Sequence, residues 1–214
     1  MACLSPEDVL QHLIAVDDGN LDSLPEVQAM RQILVRNPGI DRDSVSKLCV
    51  GAALNDYQEM ISANPSDGSY WGRFVDWALG GGHGNPPWRR FPNVKARRFE
   101  RFRNSTLWRV QLLSMDSDKL RKDLAAVMQQ DLLQKTVVFA PLVLARWAYV
   151  LGHPFRVVPD HPLPVDSRIG RLLGRIPGFN PHVVIQQANA ARQNVGRRDL
   201  NMSDFDAWAW QHFA

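Results

Sequence analysis

Residues Met115 to Leu151 read MDSDKLRKDLAAVMQQDLLQKTVVFAPLVLARWAYVL, and this stretch decides the fold. Met115-Asp116-Ser117-Asp118 opens a helix. Its short polar side chains suit the free N–H groups of a first turn, and its acids suit the positive end of the helix dipole. The pattern predicts a helix to about Gln129, a tight turn near Gln130-Asp131, and a second helix over Leu132–Leu151. The core of the chain is therefore a helical hairpin.

Outward from the hairpin, helical signals continue. Ser5-Pro6-Glu7-Asp8 combines an N-cap, a proline at the first helical position and early acids. Leu24–Val35, Val45–Ile61 and Tyr70–Leu79 carry apolar residues at helical spacing. Gly80-Gly81-Gly82-His83-Gly84-Asn85-Pro86-Pro87 is the strongest loop. C-terminal to the hairpin come a proline-rich loop over His153–Pro164, a short helix from Asp166, and a turn at Gly178-Phe179-Asn180-Pro181. Helices over His182–Asn194 and Ser203–His212 complete the chain. No segment alternates as a strand does. The expectation is an all-α protein of roughly ten helices. It forms one domain over 1–214, with lobes 1–87 and 88–214 meeting at the glycine-rich loop.

Composition limits the classes. The chain has 214 residues, 45% of them hydrophobic and 22% charged, which suits a globular core. No apolar run reaches the ~18 residues of a membrane span. The most apolar stretch, Thr136–Leu151, is interrupted by Pro141 and Arg146. The first residues, MACLSPEDVLQ, lack the basic region of a signal peptide, so the expected location is the cytoplasm. Two cysteines, Cys3 and Cys49, exclude a disulfide scaffold and a four-cysteine metal or iron–sulfur site. Charge is asymmetric. Residues 1–87 hold 5 Lys+Arg against 12 Asp+Glu, and residues 88–214 hold 20 against 10. A basic half is the sequence footprint of a polyanion-binding face, or of two halves that attract each other.

Two residues stand out chemically. Lys135 shares a helix face with Val138, Phe139 and Leu142. A lysine on such a face either snorkels to water or stays partly desolvated with a lowered pKa, in which case it is a nucleophile near neutral pH. Asp166 follows the constrained segment Pro162-Leu163-Pro164-Val165 and reads as an N-cap. An ionised carboxylate held there also suits stabilisation of a nearby developing positive charge.

Gln134-Lys135-Thr136-Val137-Val138-Phe139-Ala140, then Tyr149, then Leu163-Pro164-Val165-Asp166-Ser167-Arg168-Ile169 resembles the archaeal 8-oxoguanine DNA glycosylase (AGOG) family. This is a divergent branch of the helix–hairpin–helix DNA glycosylases. The resemblance places the helix–hairpin–helix at about 116–174. It implies that Lys135 is the nucleophile and that Asp166 is its essential partner, 31 residues on. Phe205-Asp206-Ala207-Trp208-Ala209-Trp210 is similar to a late family helix whose Asp and Trp hold the flipped base. That maps to Asp206 and Trp210, with Asp204 and Trp208 as the alternative register and two core tryptophans as the structural alternative. Trp71 matches a pocket-lining tryptophan, Phe139 a stacking phenylalanine that is otherwise core, and Gln28 a base-reading glutamine. The hairpin lacks the Gly-x-Gly turn with which most helix–hairpin–helix proteins present amides to phosphate.

Trp88–Arg109 carries eight basic residues against one acid. On a helix, Arg90, Arg97 and Arg101 line one side, while Phe99, Phe102 and Leu107 seat another. Together with Lys95 they are the candidate DNA-backbone contacts, since cations release counterions from phosphates. Arg168, Arg171, Arg175, Arg192, Arg197 and Arg198 extend that footprint or serve as surface charge. The function implied is a monomeric repair glycosylase with lyase activity on double-stranded DNA holding an oxidised purine. It needs no metal or organic cofactor and is nucleoid-associated in a prokaryote. The alternatives are a non-catalytic helical nucleic-acid-binding protein and a glycosylase for another damaged base.

Overall fold

The computed structural model describes residues 5–16, 22, 25–55, 69–82, 84–88, 90–165, 169–170, 173–174, 176 and 178–213, with only the backbone at 25–26, 69–72 and 210–213. Among the described residues there are nine α-helices and no strand. They are α1 (Pro6–Ala15), α2 (Pro25–Arg36), α3 (Arg42–Ala53), α4 (Ser69–Leu79), α5 (Pro92–Arg103), α6 (Ser117–Met128), α7 (Lys135–Val150), α8 (Pro181–Gln193) and α9 (Met202–Phe213). Two 3-10 turns, Thr106–Arg109 and Leu112–Ser114, join α5 to α6. None of the described helices is long and apolar enough to cross a membrane.

The helix starts follow the local chemistry. Ser5 and Asp8 form a reciprocal capping box on α1, with Pro6 in the first turn. Asp41, Asp116 and Asn180 accept first-turn N–H groups of α3, α6 and α8. Asn201 and Asp204 do the same reciprocally on α9: Asn201 Oδ1 accepts from Ser203 N, and Asp204 Oδ2 accepts from Asn201 N. The expected helix over Val45–Ile61 is replaced by α3, which starts at Arg42 and ends at Ala53. The Asp41 cap moves the start upstream, and Asn55 closes the end by donating to the Gly51 carbonyl at 2.9 Å. Residues 56–61 lie outside the described residues.

The helix expected from Leu132 starts at Lys135 instead. Leu133 N–H donates to Asp131 Oδ1 at 2.7 Å, and Gln134 N–H donates to the Asp131 carbonyl at 3.0 Å. Asp131 thus offers the backbone a turn before the helix can begin. Gln129 ends α6 in the left-handed conformation, φ 52°. The Gln130 N–H returns to the Ala125 carbonyl at 3.0 Å and closes the helix end in the Schellman manner.

α7 is the axis of the molecule. It is buried on nearly every side, as its apolar sequence requires, and it packs against α2, α3, α6 and α9. On α3, Gly51 faces the Phe99 ring of α5. A Cβ at this position would sit 2.5 Å from a ring carbon. A cluster of rings locks α5 to α4 and the first 3-10 turn. Trp77 meets Trp88 edge-on at 5.1 Å, and Trp108 meets Phe99 and Phe102 edge-on at 5.7 and 5.5 Å.

The apolar core falls into two main clusters that do not divide at Gly80–Pro87. The larger joins α3, α4, α5, α6 and one side of α7. The second joins α1 at the N-terminus to α8, α9 and Leu142 of α7. Arg192 underlies this long-range pairing. It is fully buried, so it is neither footprint nor surface charge. Its guanidinium donates to the carbonyls of Leu13, Ile14 and Val16 at the end of α1, and its Nε donates to the Arg198 carbonyl at 3.0 Å. Arg197 adds a bond to the Ile14 carbonyl at 2.9 Å. These cations meet the negative end of the α1 dipole. Arg198 pairs with Asp204 at 2.8 Å.

Candidate active site

Lys135 is the first residue of α7 and is exposed. Its position follows from the hairpin: the Asp131 turn ends where the helix begins, so the lysine stands at the rim instead of inside the apolar body of α7. Phe139, Leu142 and Arg146 continue the same helix face. Phe139 is buried, with 8% of its surface still open. The Arg146 guanidinium carbon lies 6.0 Å from the Phe139 ring centroid. Arg146 in turn forms a buried ion pair with Asp206 of α9 and donates to the Ser203 carbonyl at 3.3 Å. One stripe of α7 therefore runs from an exposed amine, past an aromatic ring, to a buried charge pair. Arg146 escaped the sequence reading, where it figured only as a break in an apolar run. The available signal was a lone charge in an apolar helix, which requires a buried partner.

The segment leading to Asp166 is tied to the hairpin at two points. At the start of α6, Ser117 N–H donates to the Arg156 carbonyl at 2.9 Å, and Ser117 Oγ accepts from Val158 N–H at 3.0 Å. On α7, His161 Nε2 donates to the Val138 carbonyl at 3.0 Å. That bond requires the proton on Nε2, and burial lowers the pKa of the ring, so the imidazole is neutral. The chain then passes Pro162, Leu163 and the buried Pro164. Asp166 itself lies outside the described residues, as do Arg168, Arg171 and Arg175. His161 was not singled out in the sequence. Its signal was a histidine five residues before the aspartate, within a stretch whose prolines restrict the backbone.

The remaining expected residues separate. Gln28 is exposed on α2. The side chains of Trp71 and Trp210 lie outside the described residues. Asp206 is fully buried and held by Arg146, whereas Asp204 caps α9 and Trp208 sits in the second core cluster beside Phe205 and His12. Asp204 and Trp208 are thus occupied structurally. On α5, Arg97 and Arg101 are exposed, as is Arg90 just before the helix. Lys95 differs from the expectation. It is buried, because position 95 shares the inward face of positions 99 and 102. Arg101 donates to the Met128 carbonyl at 3.0 Å, which brings the basic helix to the end of α6 next to the hairpin. Among the described residues no cluster of His, Cys, Asp and Glu is arranged to hold a metal ion.

Among the described residues, an all-helical arrangement with a lysine at the head of the second helix of a central hairpin, beside a basic helix, is the arrangement expected of a helical DNA glycosylase. The chain belongs to the AGOG family of N-glycosylase/DNA lyases, whose model matches residues 22–194. Its fold is similar to that of a solved structure, the 8-oxoguanosine complex of the 8-oxoguanine DNA glycosylase Pa-AGOG from Pyrobaculum aerophilum. The TM-score is 0.61 and the identity 19%, over 96% of this chain and 86% of that one. No curated protein matches the chain.

Proposed function

We propose that this DNA glycosylase is bifunctional, excising an oxidised purine of the 8-oxoguanine type and then nicking the strand, with Lys135 as nucleophile and Asp166 as its partner. The observation that carries the reading is the exposed Lys135 at the head of α7, one helical turn from the Phe139 ring, with the segment leading to Asp166 fastened to α7 through His161.

The damaged nucleotide leaves the duplex at a cost of a few kcal/mol. Phe139, Trp71 and Trp210 stack on the base, and Gln28 reads its edge. Asp206 acts one step back by holding Arg146 beneath Phe139. The Lys135 nitrogen attacks the anomeric carbon through its lone pair as the glycosidic bond breaks. The base departs with the bonding electrons and takes up a proton, while the lysine nitrogen loses one. Asp166 stabilises the positive charge on the sugar during this exchange. Ring opening gives a Schiff base between Lys135 and the sugar carbon. Loss of a C2′ proton then expels the 3′ phosphate. Arg90, Arg97 and Arg101 hold the flanking phosphates without sequence preference. The protein acts as a monomer.

The test is borohydride trapping on a duplex with a single 8-oxoguanine. The expected result is a covalent protein–DNA adduct. Binding and base release without an adduct would leave a monofunctional glycosylase, and binding alone would leave a nucleic-acid-binding module.

A further inference from the structure

We propose that the turn between α6 and α7 enters the DNA duplex as an apolar wedge, with Leu133 and Leu132 as the inserting side chains, and does not clasp a phosphate through its amides. The proposal rests on the reading of Lys135 given above, because it concerns the two residues that precede Gln134 and that lysine.

Exposure is the first observation. Leu133 is 71% and Leu132 42% exposed, although the apolar residues of α6 and α7 on either side are almost all buried. Neither leucine serves the core. The second is that the two amides leading into α7 are already used. Leu133 N–H is bound by the Asp131 carboxylate and Gln134 N–H by the Asp131 carbonyl. A phosphate approaching this backbone would meet a carboxylate of its own charge sign. Third, the turn is held firmly and flanked by cations. Arg121, paired with Asp118 at 2.7 Å, donates to the Leu132 carbonyl at 3.1 Å; the exposed Arg101 donates to the Met128 carbonyl at 3.0 Å, and the exposed Lys135 lies two residues after Leu133. An apolar tip between cations is complementary to a polyanion with an apolar interior. That description fits stacked bases between phosphate chains, with the side chains entering from the minor groove. The wedge fills the gap that a flipped nucleotide leaves and so offsets part of the unstacking cost.

The experiment uses a duplex with 2-aminopurine beside a stable abasic analogue, since this base brightens when it unstacks. The wild-type protein is expected to raise the fluorescence. Leu132→Ala/Leu133→Ala is expected to abolish the rise and weaken binding to this duplex by roughly fivefold to tenfold, equivalent to about 1–1.4 kcal/mol. Its binding to an undamaged single strand should be unchanged. Leu133→Phe should keep the rise. A double-alanine variant that matches wild type in fluorescence and affinity would overturn the wedge. The two readings fail separately. Loss of borohydride trapping by the wild-type protein strikes the lysine chemistry, whereas the fluorescence reports the leucines whether or not an adduct forms.

Discussion

His161 Nε2 donates to the Val138 carbonyl across 3.0 Å, and that one bond fastens the segment leading to Asp166 onto the helix headed by Lys135. The ring is almost wholly buried, and desolvation holds its pKa below the usual histidine value of 6.5. The Val138 hydrogen bond, and then Asp118 and Asp160, pull the value up more weakly, while Arg121 adds to the lowering. Above 6.5 the ring is neutral both folded and unfolded, so its contribution to stability is complete. As pH falls below 6.5 the unfolded chain takes up the proton first, and stability is lost until the lowered folded value is passed. The expected outcome is a melting temperature that falls on acidification, with a shallower fall in His161→Gln, measured by thermal melts from pH 7.5 to 4.5.

Lys135→Gln is expected to lose borohydride trapping entirely while binding DNA with unchanged affinity, measured by gel shift on the same duplex. Asp166→Asn should retain binding and lose about 100-fold or more in single-turnover base release, as removal of a transition-state charge partner does. Normal cleavage by Lys135→Gln would assign the nucleophile elsewhere.

The Arg146–Asp206 pair is buried on both sides. Asp206→Ala leaves an arginine in the core beneath Phe139 and is expected to destabilise the fold by about 3–5 kcal/mol in urea titration. Replacing both partners by apolar residues, Arg146→Met with Asp206→Leu, should restore most of that loss. If the double variant folds well but excises the base slowly, the pair serves to position Phe139.

Gly51 admits no side chain while Phe99 lies against it. Gly51→Ala forces the ring aside, and overpacking of this kind costs about 1–3 kcal/mol. A fall in melting temperature of about 2–4 °C per kcal/mol is expected by calorimetry. An unchanged melting temperature would mean that the Phe99 ring has room to move.

Much of the architecture was written locally. Periodicity gave the helices, and the capping patterns at Ser5-Pro6 and Asp116 gave two of their starts, because capping acts over three or four residues. The motif around Lys135 gave the family. The start of α7 was misread because the Asp131 carboxylate competes with the helix for the same amide, a contest that periodicity does not register. Lys95 was misassigned because its charge outweighed its place on the inward face of α5.

Sequence alone determined the helical class, the hairpin, the lysine to examine and the family it belongs to, since each is carried by residues adjacent or periodic along the chain. Tertiary structure decided that Arg192 braces the end of α1, that Asp206 is held by Arg146, and that His161 fastens the segment leading to Asp166. These bonds join residues 23 to 179 positions apart. Which donor meets which acceptor over such distances is set by how whole helices pack, and no local pattern encodes it.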